Sequence, residues 1–145
     1  MRRIAALVLV AALAGCGSNS SERLPAACIQ GPGPVLTALQ GAPGEVSLDG
    51  VRISQCFNRD AGGTDEQILG TNLVSAAQQL GDRAASDPEG DAALQLGYLI
   101  GAAQRGARRN GLAAELIRRL RQEQGSLPAR SAAFRRGQRA GLAKG

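Results

Sequence analysis

The chain has 145 residues, with 17 Lys and Arg against 12 Asp and Glu for a net charge of +5, and it contains neither Trp nor His. Without histidine a Ser-His-Asp or Cys-His nucleophile is excluded, and zinc and copper sites lose their usual ligands. With Phe57, Tyr98 and Phe134 as its aromatic residues, the core must be built from Ala, Leu, Ile and Val, which favours packed helices over a sandwich rich in aromatic and β-branched side chains.

Met1-Arg2-Arg3 gives a positive start, and Ile4 to Leu13 is an uncharged apolar run. That run has the length of a signal-peptide core and falls short of the roughly 20 apolar residues that a spanning helix needs. It ends in Leu13-Ala14-Gly15-Cys16, which resembles the lipobox of bacterial lipoprotein precursors, a large residue and two small ones ahead of a cysteine. The resemblance covers residues 1–16. It implies that residues 1–15 are a cleaved signal peptide and that Cys16 becomes the first mature residue, with lipid on its sulfur. It also implies a place in the bacterial cell envelope, anchored to a membrane on its extracytoplasmic side. Small polar residues follow to Arg23, so 16–23 reads as a lipidated flexible tether and 24–145 as a single domain.

With Cys16 assigned to lipid, Cys28 and Cys56 remain, an even number in an oxidising compartment, and they are expected to form one disulfide. Closing that loop is worth about 3–4 kcal/mol in the chain-entropy picture. Leu24 to Gln40 reads as loop and short helix, with Pro34 at a first helical position and Gly41 at the end. Asp49-Gly50 between the apolar pairs Val46, Leu48 and Val51, Ile53 is a hairpin signal, placing a β-hairpin at about 45–57 with its second strand running to Cys56 or Phe57. Asn58, Asp60 and Gly63 fall into an EF-hand register, but Gly62 stands at the fifth position and Leu69 at the twelfth, where a bidentate Glu is required. The stretch is therefore read as a glycine-rich loop rather than a calcium site.

Thr64 and Gln67 suit a capping box ahead of a helix carrying Ile68, Leu69, Leu73, Ala76, Ala77 and Leu80, ending between Gly81 and Ser86. Asp87-Pro88-Glu89 suits the start of a second helix reaching Arg109, apolar on all sides around Leu94, Leu96, Tyr98, Leu99 and Ile100, and hence central. Its Gly97 and Gly101, four apart, leave a flat strip that another helix can approach closely. A third amphipathic helix is expected over Leu112 to Gln124. A weaker one follows over Pro128 to about Leu142, where Gly137 and Gly141 each lower helix propensity by about 1 kcal/mol and favour fraying. The fold expected is thus mainly α, a small bundle of three to four helices with one β-hairpin near its N-terminus and one disulfide.

Charge is polarised along the chain. From Arg105 onward eleven basic residues face only Glu115 and Glu123, for +9, whereas residues 17–104 sum to −6. Arg118, Arg119, Arg121, Arg135, Arg136 and Arg139 form a candidate patch for anionic lipid, a wall polymer or an acidic protein surface. The competing reading makes them the solvated faces of two helices, paired with the acidic half. Nucleic acid is disfavoured by export and by the scarcity of aromatic side chains for stacking. Neither a phosphate-loop pattern nor a G-x-G-x-x-G turn occurs, and no catalytic residue, metal or cofactor is expected. The sequence therefore points to a lipid-anchored envelope protein acting as a non-catalytic binding or interaction module. The alternative is an envelope hydrolase using carboxylates alone. Its candidates, Asp82, Asp87, Glu89 and Asp91, cluster at a helix junction, where capping accounts for them more simply.

Overall fold

A computed structural model of the chain describes residues 24–57, 63–107, 113–125 and 131–145. In chain order these form α1 (Ala26–Ile29), α2 (Pro32–Leu39), a hairpin of β1 (Ser47–Leu48) and β2 (Val51–Arg52), then α3 (Ile53–Cys56), α4 (Gly63–Ser86), α5 (Asp91–Ala107), α6 (Ala113–Gln122) and α7 (Ala132–Lys144). The molecule is mainly helical, with α4 to α7 as its longer helices. The described residues hold seven helices rather than three or four, because three short ones, α1 to α3, accompany the bundle.

The hairpin is antiparallel, with Ser47 opposite Arg52 and Leu48 opposite Val51. Asp49 (φ 47°) and Gly50 (φ 81°) both lie in the left-handed region, the requirement of the two-residue turn that matches strand twist. The second strand does not reach Cys56. From Ile53 the backbone turns into α3, and the Arg52 amide donates to the Gln55 side-chain oxygen at 2.9 Å, the reach-back contact of a helix start. A helical turn puts Ile53, Cys56 and Phe57 on one buried side, whereas strand alternation would have sent Ile53 and Cys56 to opposite faces. Cys56 is bonded to Cys28 of α1, with S–S 2.05 Å and Cα–Cα 5.9 Å.

Helix α5 is the centre, as a helix apolar on all sides should be. Leu96, Tyr98, Leu99 and Ile100 are fully buried, and so are Leu73 and Leu80 of α4. The Tyr98 hydroxyl accepts from the Val46 amide at 3.3 Å, fixing the hairpin to the bundle. Helices α5 and α7 run parallel in the tightest packing of the fold. An added Cβ at Gly97 would overlap the Phe134 carbonyl and stand 3.0 Å from the Gln138 amide, and one at Gly101 would overlap the Gln138 carbonyl. Reciprocally, Gly137 and Gly141 sit against the carbonyls of Leu94 and Tyr98. The four glycines let two backbones touch without side chains between them. Gly137 and Gly141, expected to fray their helix, are instead buried in this contact.

Candidate functional site

The six arginines of the candidate patch fall into two electrostatically different groups. On α6, Glu115 takes both Arg118 (2.8 and 2.6 Å) and Arg119 (3.0 Å), one helical turn away. These two arginines hold the Glu115 carboxyl down to about 2. All three side chains are more than half exposed, so the ion pairs neutralise charge while adding little stability. Arg121 is exposed and makes no ion pair within 4.0 Å among the described residues. Thus Glu115 offsets one of the three positive charges of α6 from within the helix itself.

On α7, Arg135, Arg136 and Arg139 are exposed, α7 itself carries no Asp or Glu, and no ion pair to them occurs among the described residues. The acid nearest in effect is Glu89, whose carboxyl is lowered first by hydrogen bonds from the Ala132 and Ala133 amides and then by the fields of Arg135 and Arg136. Those amide contacts span 2.9–3.0 Å. Beside Glu89, Ser131 forms the helix cap. Its Oγ accepts from the Phe134 amide at 3.0 Å and donates to the Pro88 carbonyl at 2.6 Å. At the other end of α7 the Arg105 guanidinium donates to the Leu142 carbonyl at 3.4 Å and to that of Ala143. A carboxylate at the amino end and a guanidinium at the carboxyl end both oppose the α7 dipole.

This geometry corrects the expected start of α5. Pro88, Glu89 and Gly90 form a turn, the helix begins at Asp91, and Glu89 serves α7 rather than its own helix. Periodicity within one segment carries no signal for such a cross-chain cap. The helix expected from Thr64 begins at Gly63, which places Thr64 inside the first turn. Of the four candidate carboxylates, Glu89 is occupied by amides, and Asp82, Asp87 and Asp91 are exposed. A general acid needs a raised pKa, whereas Glu89 and Glu115 are both lowered.

The described residues form grooves on the surface. One of about 640 Å3 lies between α4 and α6, lined by Phe57, Leu69, Val74 and Leu116 together with Glu66 and Arg119. Another, of about 420 Å3, is lined by Leu36, Gln40, Gln79, Asp82, Arg83 and Gln95. Neither was legible in the sequence, since each joins helices distant in the chain. Cys16 and the calcium-like positions Asn58, Asp60 and Gly62 lie outside the described residues. Among the described residues no three His, Cys, Asp or Glu side chains gather as a metal site, and no helix is long and apolar enough to cross a membrane. No protein-family model, curated protein or solved structure matches the chain.

Proposed function

We propose that this chain is a lipid-anchored protein of the bacterial cell envelope, held on the extracytoplasmic side of a membrane through lipid on Cys16. Its helical domain acts as a non-catalytic interaction module, and its Arg-rich helix α7 meets an anionic partner. The observation that carries the anchor is the order of positive start, apolar run and Leu13-Ala14-Gly15-Cys16. The Cys28–Cys56 disulfide suits an oxidising compartment. The module reading draws support from two carboxylates engaged as a helix cap and an ion-pair acceptor, and from cationic side chains left exposed on α7.

Metabolic labelling with a fatty-acid analogue tests the anchor. The parent chain should be labelled and shortened by 15 residues, a count that follows from the position of Cys16. Cys16→Ser should abolish the label and leave the uncleaved precursor. Labelling that persists in Cys16→Ser refutes the anchor.

A further inference from the structure

We infer that the solvent face of α7 is a membrane-apposed surface, lying on the anionic headgroups of the bilayer that holds the Cys16 lipid. This surface presupposes the anchor proposed above and adds to it the helix and the partner chemistry. Ala132, Arg135, Arg136, Arg139 and Ala143 are exposed at three- and four-residue steps, so they share one face. Lys144 is exposed at the end of the same helix. Ala132 and Ala143 flank the three guanidinium groups, and the single Glu89 carboxylate sits at the amino end, so the face is net cationic and has no large exposed apolar side chain to insert. Such a surface suits adsorption on headgroups rather than penetration. The arginines of α6 differ, because Glu115 already engages two of them.

The geometry of attachment favours the same partner. Ser54 donates to the Gly145 carbonyl at 2.5 Å, two residues before Cys56, and Cys56 is bonded to Cys28. Cys28 lies four residues after Leu24, the first described residue. The carboxyl end of α7 is therefore tied, through α3 and the disulfide, to the point where the tether meets the domain. From Cys16 to Leu24 a chain reaches at most about 28 Å when fully extended. An anchored domain thus keeps α7 close to the headgroups at a high effective concentration, where screened attraction over about 8 Å can act. Backbone contact with α5 through four glycines, with Glu89 and Arg105 at the two ends, holds the face as a fixed platform.

Ala143→Cys provides a readout, since Cys28 and Cys56 are bonded and the lipid would occupy Cys16. The processed full-length protein is labelled there with a fluorophore and reconstituted into vesicles bearing a headgroup-attached quencher. Quenching should be strong in phosphatidylglycerol-containing vesicles, weak in pure phosphatidylcholine, and diminished when salt is raised to about 1 M, where screening is nearly complete. The triple variant Arg135→Glu, Arg136→Glu, Arg139→Glu should lose that quenching, and added to vesicles as unlipidated protein it should partition less by at least about a hundredfold, at roughly fivefold per basic residue lost. Its melting curve checks that it is folded, and Arg118→Glu with Arg121→Glu should leave the quenching in place.

Equal quenching in neutral and anionic vesicles, or full quenching in the folded triple variant, overturns the surface even where Cys16 is lipidated. Binding to an isolated anionic wall polymer, with no response to anionic lipid, overturns it in favour of a wall partner. If mass spectrometry finds no lipid on Cys16, the anchor fails by itself, and the membrane-apposed surface as stated falls with it.

Discussion

Glu89 follows α4 in the chain, but its carboxylate belongs to α7. It accepts from two amides at the amino end of that helix, and these contacts hold its pKa below the ordinary 4.5. A depressed carboxylate stabilises the fold above its unfolded pKa, and that contribution is lost as pH falls through the lower folded value. Glu89→Gln should therefore melt at a lower temperature than the parent at about pH 7, and the gap should narrow progressively as pH falls below the unfolded carboxylate range. An equal deficit throughout, followed by circular dichroism, would mean that packing rather than charge is responsible. Ser131→Ala removes both the cap acceptor and the donor to Pro88. About 1–2 kcal/mol of stability should go with it, a fall of several degrees in Tm, with little dependence on pH. Glu115, although held down to about 2, is exposed with its arginine partners, and Glu115→Gln should leave thermal stability nearly unchanged.

Two kinds of helical glycine can be told apart at the level of elements. An added Cβ at Gly70 of α4 has nothing within 4 Å, so Gly70→Ala should stabilise by up to about 1 kcal/mol through helix propensity alone. Gly137→Ala gains the same propensity but drives a methyl into the Leu94 carbonyl. It should destabilise on balance by about 1–3 kcal/mol, the usual range for overpacking in a rigid contact. Urea midpoints measured side by side check this, and two shifts of the same sign would contradict the backbone contact between α5 and α7. The contrast also marks what the sequence could tell. Gly97 and Gly101 announced a close approach because they interrupt an otherwise apolar helix. Gly137 and Gly141 lie among arginines, so the same spacing read as weakness until its partner was known. Likewise Ile53 reads as a strand residue because it continues the alternation from Val51, whereas the choice of α3 depends on burying Cys56 and Phe57 beside Ile53.

For the molecule as a whole, the legible part was what each segment states about itself: apolar periodicity of the long helices, the Asp49-Gly50 turn, and two cysteines with one pairing. What remained hidden joins distant segments: Glu89 with α7, Arg105 with the far end of α7, and Ser54 with Gly145. The disulfide belongs to both classes, because its pairing was readable while its mechanical place was not. It joins two four-residue helices, α1 and α3, neither long enough to stand alone in water. Replacing both cysteines, Cys28→Ser with Cys56→Ser, should lower stability by about 3–4 kcal/mol on the chain-entropy estimate. The loss should concentrate where the chain enters the domain. Amide exchange should accelerate in α1 and α3 while the glycine-packed α5 and α7 stay protected, since their contact does not pass through the sulfur atoms. If protection collapses uniformly at the same denaturant concentration, the clamp and the bundle are one cooperative unit, and the disulfide supports the α7 platform as well as the domain entry.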